Sequence, residues 1–248
     1  MPKYKLKIAY EGTAYSGWQK QKNANTVQKE INKALQVLLK AKTPTLGASR
    51  TDAGVHALGQ IAHFTCPEIS DLKRFFYSLN GLLPKDIRIK SVESEKDDFH
   101  ARYSAKKKTY HYFLSLGVHQ DPFERYFASH IYRKLDLELL QKACQCFVGT
   151  HDFSAFANES NERCARTKPV KNMTKVEFTQ VRDNIYRLEF EANSFLYKMV
   201  RNIVGTLLDV ANGKIKIESI PEIFASKDRK QAGFAAPARG LFLVNVHY

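Results

Sequence analysis

The spacing of hydrophobic residues along the 248-residue chain switches between two periods, and this restricts the fold more than any other feature of the sequence. Residues Tyr4 to Tyr10 alternate between apolar side chains and lysines, which predicts a half-buried strand. Residues Thr26 to Lys40 carry apolar side chains at helical spacing, which predicts an amphipathic helix. After residues 97–98 the succession begins again, with a strand predicted at Lys108 to Leu116 and a helix at Leu137 to Val148.

Most connections between the predicted strands are as short as those of hairpins. Lys175 to Val181 and Ile185 to Ala192, for example, flank a three-residue turn. Such connections favour antiparallel pairing over a doubly wound parallel sheet. We therefore expect an α+β fold of two halves, residues 1–105 and 106–248, with no low-complexity linker between them.

The charge of the chain predicts a polyanionic partner. Lysine and arginine number 39 against 25 acidic residues, a formal net charge of +14, and nucleic acid attracts such an excess by counterion release. A basic composition without a functional partner is the alternative. An acidic membrane surface would favour a basic amphipathic helix or a polybasic tail, and the sequence contains neither.

Targeting and metal-binding signals are absent from the sequence pattern. No segment approaches the roughly 18 apolar residues of a membrane span, and the first residues lack the apolar stretch of a signal peptide. The four cysteines form no CxxC pair, which argues against a zinc site or a disulfide framework. We expect a cytoplasmic protein with reduced thiols.

The segment from Arg50 to Gly59 is the most unusual part of the sequence. It places Asp52, an arginine and His56 within seven residues of a predicted loop, which a strand from Gln60 to Cys66 follows. A carboxylate beside an arginine stays ionised and suits a nucleophile or a base. The alternative is that Asp52 only forms a turn before a glycine. For His56 and His63, roles in the core are favoured over metal binding, since no ligand set accompanies them.

Two segments combine basic residues with other features of RNA-facing surfaces. In the first, aromatic side chains alternate with basic ones, which suits neutralisation of phosphates together with stacking of an unpaired base. The second is a basic loop with a weaker signal. For the first segment a solvated run of charge is the alternative. The candidate RNA-binding residues are Phe99, His100, Ala101, Arg102 and Tyr103 in the first segment, and Cys164, Ala165, Arg166, Thr167 and Lys168 in the second.

A long apolar helix is predicted from Phe195 to Ala211, and it contains one conspicuous cation. Arg201 lies where this helix is apolar nearly all round, so its guanidinium needs an acidic partner or a phosphate. Asp52 is a candidate for that partner.

Five segments, taken together and in order, resemble the TruA family of tRNA pseudouridine synthases. They cover almost the whole chain, although the position of Lys171 often holds arginine in the family. The matching segments are Gly47–Ala57 with Gly59-Gln60, Phe99–Arg102, Tyr110–Tyr112, Ser194–Gly205 and Ala236–Leu243.

The resemblance implies an isomerase that converts uridine to pseudouridine at positions 38 to 40 of the tRNA anticodon stem-loop, without a cofactor or a metal. It also implies a homodimer, and two similar α+β halves whose antiparallel sheets join into one extended sheet beside a basic cleft. By this resemblance Asp52 is catalytic, whether it attacks C1′, attacks the base or removes a sugar proton. The implied substrate-binding residues are Arg50 at the flipped nucleotide, Tyr110 stacked on the uracil, Arg201 paired with Asp52, and Leu243 on the apolar side of the pocket. The alternatives are a non-catalytic basic RNA-binding module and a pseudouridine synthase acting on another RNA.

Overall fold

The computed structural model describes residues 1–159 and 168–248, which form two compact units. Unit 1 comprises Met1–Lys106 and Phe242–Tyr248, and unit 2 comprises Lys107–Leu241. In chain order the strands are β1 Lys3–Tyr10, β2 Leu46–Gly47, β3 His56–Thr65, β4 Ile87–Glu95, β5 Lys107–Leu116, β6 Ser129–Ile131, β7 Gly149–Asp152, β8 Val170–Arg182, β9 Ile185–Ala192 and β10 Leu241–His247. The α-helices are α1 Val27–Leu39, α2 Leu72–Leu82, α3 Leu137–Gln145, α4 Met199–Ala211 and α5 Ile220–Ser226.

In unit 1 the strands are ordered β4-β1-β3-β10, and β2 also pairs with β3. The β1 strand is antiparallel to both β3 and β4, whereas β10 runs parallel to β3. One face of β1 is buried, as the alternation of its residues predicts, and α1 begins and ends within one residue of its predicted bounds. The buried side chains of β1 are Tyr4, Leu6, Ile8 and Tyr10.

In unit 2 the strands are ordered β5-β9-β8-β7, and β6 pairs in parallel with β5. The β8–β9 hairpin turns at Asn184, which has a φ of 58°. Asparagine tolerates this left-handed conformation well. The core includes α4, of which eleven residues are buried. Both units thus combine helices with a mostly antiparallel sheet, which confirms the α+β class.

Four of the boundaries predicted above are wrong by three or more residues. Two of them lie away from the candidate Asp52 loop and α4: α3 ends at Gln145 instead of Val148, and β8 begins at Val170 instead of Lys175. The other two lie beside candidate site residues. The β3 strand begins at His56 instead of Gln60, because β10 pairs with it there, Phe242 opposite His56 and Leu243 opposite Ala57. The α4 helix begins at Met199 instead of Phe195, because Lys198 adopts a left-handed conformation with φ 58° that a helix cannot continue through.

Candidate functional site

The loop that contains Asp52 is built around a β-turn. The Val55 N–H donates to the carbonyl oxygen of Asp52 at 3.2 Å, and Gly54 has a φ of 75°, which suits glycine. A main-chain turn is therefore present at Asp52, and any residue would supply the carbonyl group that accepts this hydrogen bond. The side chain of Asp52 is half-buried, and its carboxylate is not part of that hydrogen bond.

The segment that follows β1 supports this loop from a second side. Tyr10 Oη and Thr51 Oγ1 lie 2.7 Å apart in the interior, and the main-chain N–H of Trp18 donates to the Thr51 carbonyl oxygen at 3.1 Å. A Cβ added to Gly12 would lie 2.1 Å from the Val55 carbonyl oxygen, so only glycine permits this close approach. Hydrogen bonds thus fix the main chain on both sides of Asp52, and such preorganisation favours precise chemistry.

His56 is a structural residue of this loop. Its Nδ1 accepts a hydrogen bond from the Gly12 N–H at 3.0 Å, and its ring stacks on Phe242 with centroids 4.6 Å apart. It is buried in β3. These contacts support a role in the core. Among the described residues, no three or more histidine, cysteine, aspartate or glutamate side chains are grouped so that they could hold a metal ion.

His63 also has a structural role in the interior of unit 1. Its Nδ1 accepts from the Ala101 N–H at 3.1 Å. Burial, together with smaller contributions from the nearby His100 and Lys3, lowers the pKa of His63 to about 4. The ring is therefore neutral at pH 7 and holds the segment that follows β4.

A pH dependence of stability follows from His63. Its folded-state pKa lies below the unfolded value of about 6.5, so the unfolded chain binds the extra proton and stability falls as pH drops through that interval. We expect the free energy of unfolding to decrease between pH 7 and pH 5 by about 2 kcal/mol more in the parent than in His63→Gln. Urea denaturation at both pH values measures this, and equal decreases would contradict the shift.

The first candidate RNA-binding segment divides into inward and outward residues. Phe99 and Ala101 are buried, and the Ala101 carbonyl oxygen accepts from Tyr248 Oη at 2.7 Å. Tyr103 is 78% exposed, with the Arg102 guanidinium 5.8 Å from its ring centroid and the ring of His100 4.4 Å away. Side-chain contacts with RNA are therefore open to His100, Arg102 and Tyr103, whereas the other two residues hold the segment in place.

The second candidate segment is only partly described. Cys164, Ala165, Arg166 and Thr167 lie outside the described residues, and Lys168 is exposed.

The remaining candidate residues occupy defined positions within their own units. In unit 1, Arg50 is exposed and Leu243 is fully buried in β10. In unit 2, the Tyr110 ring meets the Phe195 ring edge-on at 4.9 Å, and Arg201 lies in the first turn of α4. Arg201 Nε donates to the carbonyl oxygen of Ala236 at 2.7 Å. This contact satisfies one of its donors with an uncharged partner, which the sequence did not predict.

Comparison with known proteins gives one consistent result. The sequence model of a family described as tRNA pseudouridine synthase matches residues 7–104 and 143–248. The chain is 53% identical to tRNA pseudouridine synthase A 1 of Protochlamydia amoebophila over 246 residues. This alignment covers 99% of this chain and 96% of that protein. It is 47% identical to tRNA pseudouridine synthase A of Acetivibrio thermocellus over the full length of both, and 41% identical to that of Bacillus subtilis over 98% of both.

Proposed function

Since the chain belongs to the tRNA pseudouridine synthase family, we propose that it isomerises uridines at positions 38 to 40 of the tRNA anticodon stem-loop. The observation that carries this proposal is the placement of Asp52, a half-buried carboxylate in a loop whose main chain is fixed on both sides. The reaction breaks the bond between N1 of uracil and C1′ of the ribose, turns the base and joins C5 to C1′. It needs neither a redox partner nor an energy source.

Each candidate residue has a role that its chemistry supports. Asp52 provides the carboxylate that the reaction requires. Arg50, exposed two residues before it, suits the stack from which the nucleotide is extruded, a step that costs a few kcal/mol. Tyr110 supplies an aromatic face for the uracil, Leu243 an apolar surface and Arg201 a cation near the reacting groups.

The surface that receives the tRNA is proposed to include His100, Arg102 and Tyr103. The exposed Tyr103 ring beside a guanidinium suits an unpaired base with an adjacent phosphate. The basic residues Arg166 and Lys168 extend this role to the second segment. We propose that the enzyme acts in the cytoplasm as a homodimer. In the described part of the chain, the helices are all too short or too polar to span a bilayer.

Tritium release tests the function directly. Pseudouridine formation displaces the hydrogen at C5, so tRNA labelled with tritium at uridine C5 should release label to water in the presence of the protein. The control is the same tRNA with cytidine at positions 38 to 40, from which no release is expected. Binding without release would identify a non-catalytic RNA-binding module, and release from the control would identify a synthase with other target positions.

A substitution at Arg201 separates chemistry from tRNA affinity. We expect Arg201→Met to lower the single-turnover rate at neutral pH at least about tenfold, a loss of about 1.4 kcal/mol, while tRNA affinity changes less. The reason is that a cation near the reacting groups acts mainly in the transition state. Rapid-quench kinetics and filter binding measure the two quantities. A loss confined to affinity would assign Arg201 to a phosphate contact instead.

A further inference from the structure

Gln60 holds both main-chain groups of Ser49 with its side-chain amide. Gln60 Nε2 donates to the Ser49 carbonyl oxygen at 2.7 Å, and the Ser49 N–H donates to Gln60 Oε1 at 3.2 Å. The side chain is fully buried in β3, among residues that are otherwise mostly apolar. A buried amide with such partners is costly to disturb, because its removal takes one hydrogen-bond partner from each of the two main-chain groups.

This contact lies where the chain leaves the sheet toward Asp52. The β2–β3 pairing places Leu46 opposite His63 and Gly47 opposite Ala62, and the Ala48 N–H still donates to the Ile61 carbonyl oxygen at 2.7 Å. At Ser49 the pairing ends, and the Gln60 amide takes the place of the missing peptide group. The side chain therefore sets the point and direction of departure of the loop.

We propose that Gln60 is a positioning residue for the reaction, which acts by fixing the main chain three residues before Asp52. The inference rests on the proposed function of Asp52. Beyond Ser49, the next fixed point is Thr51, held by Tyr10 and by the Trp18 N–H. Removal of the Gln60 side chain takes two hydrogen bonds from the main chain of Ser49, directly before Arg50 and on the approach to Asp52. A displacement of about 1 Å at a reacting group lowers rates about 100-fold.

Asn80 provides a matched control for a purely stabilising role. In the same unit, Asn80 Oδ1 accepts from the Ile89 N–H at 2.9 Å and Asn80 Nδ2 donates to the Ile89 carbonyl oxygen at 3.0 Å. The pattern of hydrogen bonds is the same as at Gln60, but it joins α2 to β4 instead of the Asp52 loop. Loss of the Gln60 amide takes one hydrogen-bond partner from the N–H and one from the carbonyl oxygen of Ser49, and loss of the Asn80 amide does the same to Ile89.

The experiment compares Gln60→Met with Asn80→Leu in the full chain. For both we measure the tRNA Kd, the single-turnover rate of tritium release per folded molecule, and thermal stability. We expect Gln60→Met to react about 100-fold more slowly than the parent with an unchanged Kd, while Asn80→Leu loses stability but keeps its rate. Gln60→Glu is the second variant, since it keeps the size of the side chain and an acceptor for the Ser49 N–H but exchanges the amide donor for a carboxyl group, and a slower step with the same Kd is again expected.

The contrary outcomes are distinct. The proposal is overturned if both Gln60 variants react as fast as Asn80→Leu. It is also overturned if both fail to fold while Asn80→Leu folds. Either result would assign Gln60 to stability alone. If the parent protein itself releases no tritium, the proposed function fails, and this result is separate from any difference among the variants.

Discussion

Replacement of Asp52 by alanine should abolish pseudouridine formation and leave the fold and tRNA affinity nearly unchanged. The hydrogen bond of the turn uses the main chain of this residue, whose carbonyl oxygen accepts from the Val55 N–H, and alanine supplies the same group. The carboxylate is the part that the reaction requires. We expect the single-turnover rate to fall by at least about 10⁴-fold, the scale seen when a residue central to catalysis is removed.

Tritium release from tRNA labelled at uridine C5 measures this loss, with filter binding for affinity and circular dichroism for the fold. Asp98→Ala is the matched control, because it removes an exposed carboxylate of the same unit and leaves the loop intact. Substantial release by Asp52→Ala would remove this residue from the mechanism.

The second large effect is expected from Gly205→Ala in α4. Glycine to alanine inside a helix ordinarily stabilises by about 0.5–1 kcal/mol. At Gly205, however, the added Cβ would lie 1.7 Å from the Phe234 carbonyl oxygen, so the helix and the segment at Phe234 must separate. We expect a loss of about 3 kcal/mol in the free energy of unfolding. The same segment holds Arg201 through Ala236, so the rate of the reaction should fall as well.

Gly81 in α2 tests the reasoning in the opposite direction. An added Cβ there meets nothing within 4 Å, so Gly81→Ala should raise the free energy of unfolding by about 0.5–1 kcal/mol. Urea denaturation of the two variants and the parent gives both numbers. A Gly205→Ala protein as stable as the parent would contradict the close approach of α4 to Phe234.

The spacing of hydrophobic residues predicted those elements whose fold depends on residues close together in the sequence. The alternation in β1 and the helical spacing in α1 depend on residues that are close in sequence, and both elements lie within about a residue of their predicted bounds. The start of β3 could not be predicted in this way. His56 joins the strand because Phe242 lies opposite it, and a partner 186 residues away leaves no mark on the sequence around His56.

The candidate site shows the same division. Chemistry alone favoured a turn-forming Asp52 over a catalytic one, and the structure contains a turn there that its main chain forms. The family resemblance singled out its carboxylate, because five distant segments occur together. The roles of Tyr10, Gly12 and Gln60 were not predicted, since they depend on contacts between separate parts of the chain. A polar glutamine within an apolar strand was the one local signal of such a contact.

The pairing of β10 with β3 has a consequence for the order in which the protein matures. The last seven residues, Phe242–Tyr248, belong to unit 1, whereas residues 107–241 form the other unit. Synthesis proceeds from the N-terminus, so residues 107–241 are made before Phe242, and β3 receives its β10 partner only after them. Unit 1 thus completes the pairing of β3 only after the chain of unit 2 has been made, and His56 beside the Asp52 loop gains its stacking partner at the same late stage.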